Sequence, residues 1–128
     1  MFKKILIIDD EPQFAKVVAA RLETNDYDVL IAHDGQNGIT KAKTEKPDLI
    51  LMDILMPNLS GGDAVRLLKT DPRTANIPII FLTAILDGNK DNSEQRINVD
   101  NKFYPAIAKP FDAEKLLKKI EQVLSSSS

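Results

Sequence analysis

Residues 4–22 run Lys4-Ile5-Leu6-Ile7-Ile8-Asp9-Asp10-Glu11-Pro12-Gln13-Phe14-Ala15-Lys16-Val17-Val18-Ala19-Ala20-Arg21-Leu22, and their pattern changes once, at the acidic triplet. Before the triplet, Ile5 to Ile8 is a continuous, β-branched-rich apolar run. Such a run predicts a strand buried on both faces. After it, Pro12 stands where a first helical turn tolerates proline. Phe14, Val17, Val18 and Leu22 then follow at spacings of three and four, which makes one apolar helix face. A strand without a polar face needs cover on both sides, and a helix follows at once. The stretch is therefore one βα unit of a parallel sheet.

The unit recurs along the chain. Val29 to Ala32 predicts a second strand, Asp34-Gly35 a turn, and Ile39 with Ala42 a helix ending before Pro47. Leu49 to Met52 is the third strand and ends in Asp53. Met56-Pro57 and Ser60-Gly61-Gly62 form a loop, and Ala64, Val65, Leu67 and Leu68 mark a third helix closed before Pro72. Ile77 to Leu82 is the fourth strand, and Ile107-Ala108 lies in a shorter fifth. Asp112 is placed to cap a last helix that carries Leu116, Leu117, Ile120, Val123 and Leu124. Between Ile85 and Asn101 the chain is polar, with a weak helical pattern from Ser93 to Ile97. The expectation is an α/β fold, (βα) five times, with a doubly wound five-stranded parallel sheet. One domain covers 1–124. The Ser125 to Ser128 run is expected to be a frayed tail, either a linker or a cloning remnant.

Composition narrows the function. The 128 residues suffice for one domain with a real core. A net charge of -2, from 17 Lys and Arg against 19 Asp and Glu, lacks the basic excess of a nucleic-acid-binding module. Cysteine is absent, which removes disulfides, thiolate zinc and a cysteine nucleophile. His33 is the single histidine, so no site can use two imidazoles. No apolar run approaches the roughly 20 residues of a membrane span. The run after Lys3-Lys4 ends too early for a signal peptide. A cytoplasmic protein without membrane or direct nucleic-acid contact is expected.

In a doubly wound sheet, ligands bind outside the carboxyl ends of the strands. Those ends carry Asp9-Asp10, Asp53, Thr83 and Lys109. Three crowded carboxylates favour a hard divalent cation, and an oxygen-only, incomplete shell suits Mg²⁺. A carboxylate can act as a nucleophile toward phosphorus and form an acyl phosphate. A lysine and a hydroxyl can hold the phosphoryl oxygens, and such transfer needs chiefly positioning and charge stabilisation. Taken singly, each residue also has an ordinary role. Asp9 and Asp10 could cap the first helix, Asp53 could be a turn residue, Thr83 could be incidental, and Lys109 could be a solvated lysine.

Four pieces in order, Asp9-Asp10-Glu11, Asp53-Ile54-Leu55-Met56-Pro57 with Gly61 or Gly62, Thr83-Ala84 and Lys109-Pro110-Phe111, resemble the receiver domain of two-component response regulators, over roughly residues 3–124. The resemblance implies a flavodoxin-like receiver fold with Asp53 as phosphoacceptor. It implies Mg²⁺ held by Asp9, Asp10, Asp53 and the Leu55 carbonyl, with Thr83 and Lys109 on the phosphoryl oxygens. A sensor histidine kinase or phosphotransfer protein would donate the group, and a downstream partner or output domain would respond. The domain would be a phosphorelay switch that assists only its own phosphorylation and dephosphorylation, and not otherwise an enzyme.

The chain departs from the family in the region that reports phosphorylation. Receivers commonly carry Tyr or Phe three residues before the strand-five lysine. Here that position is Ala106, with Phe103 and Tyr104 nearby. Ala84, Ala106 and Tyr104 are the candidate switch residues, and the aromatic is either lost or moved. Asp53 chemistry is expected to persist with an altered output surface. Leu55 and Ile85, apolar where many receivers orient a water, imply a long-lived acyl phosphate. A second possibility is a scaffold that binds without phosphorylation, although a full set of site residues argues against it. A phosphatase with an aspartyl-phosphate intermediate is disfavoured, because Asp53-Ile54-Leu55 offers no acid two positions on.

Overall fold

The computed structural model describes residues 2–83, 96–108 and 112–126. The elements are β1 (Lys4–Ile8), α1 (Pro12–Glu23), β2 (Asp28–Ala32), α2 (Gly35–Glu45), β3 (Leu49–Asp53), α3 (Gly61–Thr70), β4 (Ile79–Thr83), β5 (Arg96–Val99), β6 (Lys102–Ala108) and α4 (Ala113–Ser126). They form one six-stranded sheet in the order β2-β1-β3-β4-β6-β5. Every pairing is parallel except β5 with β6.

Two apolar layers follow from the two-sided strands. Leu6, Ile8, Ile50, Met52, Ile79 and Phe81 point to the side covered by α2 and α3, where Ile39, Ala42, Ala64, Val65 and Leu68 meet them. Ile5, Ile7, Leu49, Leu51, Ile80 and Leu82 point to the other side, against Ala15, Val18 and Leu22 of α1 and Leu116 and Ile120 of α4. Neighbours in sequence thus serve opposite layers, as the pleat requires. The helix ends are set locally. Asp34 caps α2 by accepting the Asn37 N–H at 2.8 Å, and Ser60 caps α3 by accepting the Asp63 N–H at 3.2 Å. Asp112 accepts the Glu114 N–H at 2.9 Å, as expected of a cap for the last helix. That helix includes Ser125 and Ser126, so the serine run begins as helix.

The region before the last strand differs from the expectation. The weak helix placed at Ser93 to Ile97 is not borne out at Arg96 and Ile97, which open strand β5; Ser93 lies outside the described residues. Among the described residues the sheet accordingly has six strands, where five were expected. β5 and β6 form a hairpin closed by Asp100 and Asn101, with register Val99 to Lys102 and Ile97 to Tyr104. Both turn residues have positive φ, 53° and 67°, as a two-residue type I′ turn demands. Asp and Asn tolerate that region better than other non-glycine residues. Asn101→Gly should therefore stabilise the fold by about 0.5 kcal/mol, read as a higher urea midpoint at unchanged slope. A midpoint that fell would contradict this turn geometry.

The hairpin is tied to α3. Arg66 Nε lies 3.0 Å from Asp100 Oδ2, and Arg66 Nη1 lies 2.6 Å from Asp63 Oδ1. Tyr104 is buried and meets Phe81 edge-on, with 5.9 Å between ring centroids. The Lys69 and Lys102 ammonium groups lie 6.0 and 5.6 Å from the Tyr104 ring centre. Half-buried Lys69 also donates to the carbonyls of Ala75 (2.9 Å) and Ile77 (2.8 Å). Burial, and secondly Lys102, pulls the Lys69 pKa from 10.5 down to about 8. Between those two pH values the unfolded chain holds more proton here than the folded one, so this group makes stability rise with pH across the window. Lys69→Met should flatten that rise in urea midpoints. An unchanged slope would show that the rise comes from elsewhere.

Candidate functional site

Strand order reverses at β1: the chain goes to β2 on one side and to β3 on the other. This is the switch point at which doubly wound sheets leave a crevice. Asp9 follows β1 there, and its N–H donates to the Ala32 carbonyl at 3.0 Å. Its Oδ1 accepts the Glu11 N–H at 2.9 Å and so turns the chain into α1. This bond lies ahead of α1, whose N-cap position is Glu11, so Asp9 does not cap the helix itself. Asp53 closes β3 opposite Leu82 of β4. Asp9 is fully buried, Asp53 nearly so, and Asp10 half-buried. One carboxylate oxygen from each of the three lies within 4.8 Å of the others.

That spacing decides the chemistry. Two unit charges 4.8 Å apart repel by about 3 kcal/mol at an effective dielectric near 20. Three of them in one buried corner therefore favour a cation. All three are hard oxygen ligands on one side of the corner, which fits Mg²⁺, an ion that binds through one or two carboxylates and leaves positions for phosphate oxygens. No ligand of softer character is present in this cluster.

The loop after Asp53 is held by Gly61. Its N–H donates to the Ile54 carbonyl at 2.8 Å. A Cβ at Gly61 would stand 2.5 Å from the Asp53 carbonyl oxygen and 2.8 Å from Ile54 Cα. At Gly62 the nearest atom would be Ser60 Oγ at 3.9 Å. The sequence left Gly61 and Gly62 equivalent, whereas the packing assigns the role to Gly61. Leu55 lies in this loop and is 60% exposed. His33 is exposed, and its Nδ1 lies 3.3 Å from the Asp9 carbonyl oxygen.

Thr83 ends β4 next to Ala108 of β6 and one residue beyond the Leu82 that faces Asp53. Lys109 and Ala84 lie outside the described residues. Ala106 is buried beside Phe81, on the α2 and α3 side. Tyr104 points to the same side two residues earlier, and Phe103 to the opposite side, where it is 59% exposed. The aromatic ring of this face therefore stands about 6.6 Å farther from the carboxyl edge than Ala106 does. The hairpin that carries it was missed in the sequence, although the Asp100-Asn101 pair between Ile97-Asn98-Val99 and Lys102-Phe103-Tyr104 is a signal for one.

Protein PilH of Pseudomonas aeruginosa is 39% identical over 123 residues, which are 95% of this chain and 98% of PilH. The phosphate regulon transcriptional regulatory protein PhoB of the same species is 40% identical over 122 residues, 95% of this chain but only 52% of PhoB. Among solved structures, the receiver domain of a P. aeruginosa sensor histidine kinase, with magnesium coordinated in its active-site cleft, superposes with a TM-score of 0.82. It is 28% identical and covers 98% of this chain and 99% of that one. The response regulator receiver domain family matches residues 5–121. With that match, the doubly wound sheet and the carboxylate corner at its switch point, the chain belongs to the receiver domains of two-component response regulators.

Proposed function

We propose that Asp53 accepts a phosphoryl group in an Mg²⁺-dependent reaction and that the acyl phosphate alters what the domain binds. The observation that carries this reading is the meeting of Asp9, Asp10 and Asp53 within 4.8 Å. Asp9, Asp10, Asp53 and the Leu55 carbonyl would hold the ion. When bound, Mg²⁺ supplies positive charge that offsets the anionic phosphoryl group beside a carboxylate. A carboxylate oxygen of Asp53 attacks phosphorus in line, the bond from phosphorus to the donor's imidazole nitrogen breaks, and a mixed anhydride forms on Asp53. Thr83 would donate a hydrogen bond to one phosphoryl oxygen, and Lys109 would neutralise another. The donor is a sensor histidine kinase or a histidine phosphotransfer protein, and the recipient of the signal is a protein partner or an output domain. Magnesium in the cleft of the similar kinase receiver supports this reading.

The test is incubation with Mg²⁺ and acetyl phosphate, followed by intact mass. A single phosphoryl adduct that requires Mg²⁺ is expected. Its absence would favour a scaffold that binds without phosphorylation. The exposed Leu55 side chain carries no group to orient an attacking water. A lifetime of many minutes is therefore expected for the adduct, and Leu55→Asn should shorten it several-fold. Decay within seconds in the wild type would refute this use of Leu55.

A further inference from the structure

Residues 54–60 link β3 to α3 and include Leu55, whose carbonyl is one expected metal ligand. Their backbone makes a three-residue turn at Asn58. The Leu59 N–H donates to the Pro57 carbonyl at 2.8 Å, and Asn58 has φ 72°. With positive φ this is the rare, strained form of that turn. Strained backbone persists where its surroundings fix it, and here two apolar side chains do so. Met56 is buried in the layer under α2 and α3, and Leu59 packs against the same layer.

Leu59 also lies on α2 itself. A Cβ at Gly35, the first residue of α2, would stand 2.8 Å from Leu59 Cδ2 and 3.1 Å from Leu59 Cβ. Gly35 does not have positive φ, so glycine is needed there for the close approach and not for the backbone. At Gly38 a Cβ would stand 2.5 Å from Ile8 Cδ1. Positions i and i+3 share a helix face. That face of α2 therefore touches both the end of β1, next to Asp9, and the loop after Asp53. The clustered carboxylates come from the same two places, Asp9 and Asp10 after β1 and Asp53 at the end of β3. We propose that Leu59, seated on Gly35, is a positioning residue for the metal, and that it fixes the Leu55 carbonyl relative to Asp9, Asp10 and Asp53. This role rests on Mg²⁺ binding at those carboxylates. Without the seat the turn at Asn58 relaxes, and the Leu55 carbonyl moves with it.

Mg²⁺ titrations followed by amide and carbonyl resonances read the dissociation constant of the folded protein. Leu59→Ala is expected to raise it about tenfold, the scale known for groups that orient a metal ligand. Gly35→Ala should do likewise, since its new Cβ displaces Leu59. Both changes act through one contact, so the double variant should lie within about twofold of the weaker single one. Leu59→Met, which nearly keeps the volume, should stay within about twofold of the wild type. The Mg²⁺-induced shift of the Leu55 carbonyl carbon should shrink in Leu59→Ala, while shifts near Asp10 persist. A purely structural Leu59 would lower the urea midpoint and leave the dissociation constant unchanged, and that result overturns the proposal. Losses that multiply in the double variant overturn it as well. If Gly35→Ala does not fold, the comparison of Leu59→Ala with Leu59→Met decides. A wild type that binds no Mg²⁺ would refute the reading of the acidic site itself, and this role for Leu59 with it.

Discussion

Asp53→Asn is expected to yield a protein that takes up no phosphoryl group from acetyl phosphate and yet is more stable than the wild type without Mg²⁺. Both effects come from the same geometry. The nucleophilic oxygen of the proposed reaction belongs to Asp53, and an amide cannot replace it as an anion. In the free protein, Asp53 is one of three carboxylates within 4.8 Å, and it is buried together with Asp9. Neutralising it removes two repulsions, which should raise the unfolding free energy by about 1–3 kcal/mol. Added Mg²⁺ should then reverse the order. It stabilises only the form that binds it, and the wild type offers the fuller ligand set. The measurements are intact mass with acetyl phosphate and urea unfolding with and without Mg²⁺. An adduct that persists in Asp53→Asn would move the acceptor elsewhere. Equal stability of the two proteins in the absence of Mg²⁺ would mean that the carboxylates do not repel as their spacing implies.

Gly61→Ala should destabilise the fold by about 2–3 kcal/mol and slow phosphorylation sharply, whereas Gly62→Ala should do neither. On helix propensity alone both changes ought to help, because alanine is favoured over glycine within a helix by up to about 1 kcal/mol. The surroundings reverse the sign at only one of them. The new Cβ at position 61 would meet backbone atoms, the Asp53 carbonyl oxygen at 2.5 Å and Ile54 Cα at 2.8 Å, which cannot rotate away as a side chain would. The segment that must move is the one that aims the Asp53 carboxylate. At position 62 the nearest atom is 3.9 Å away. Urea midpoints and phosphorylation rates of the two variants separate the cases. Similar behaviour of both would show that the contact between Gly61 and Asp53 does not constrain the site.

The hairpin fixes the surroundings of Tyr104. Tyr104 stands between Lys69 and Lys102 and packs on Phe81, and the turn beside it is tied to α3 through Arg66 and Asp100. A ring held in this way favours a reading in which the hairpin and α3 respond together. The contacts describe where Tyr104 is held and do not test the expectation of an altered output surface. The residues from 84 to 95, on which it also rested, lie outside the described residues.

Which parts of the fold were legible follows from the range of the forces that made them. Apolar runs such as Ile5 to Ile8 and Leu49 to Met52, and helix faces such as Phe14 to Leu22, announce themselves because burial of one segment is a local property of composition and period. From these the order of elements follows, and with it the strand ends at which Asp9, Asp10, Asp53 and Thr83 stand. The sequence by itself therefore determined the doubly wound class, the family and the acidic residues of the candidate site. Arg96 to Val99 escaped it because four residues with two polar positions have too short a period to separate strand from helix. What stabilises them as a strand is pairing with Lys102 to Pro105, a contact between segments. Only the tertiary structure decided that Tyr104 and not Phe103 faces the α3 layer, since a shift of one residue exchanges the two faces of a strand. It alone separated Gly61 from Gly62, two identical neighbours distinguished by what lies across the loop. It also brought Asp9 and Asp10 to Asp53, since distant segments meet only where strands align.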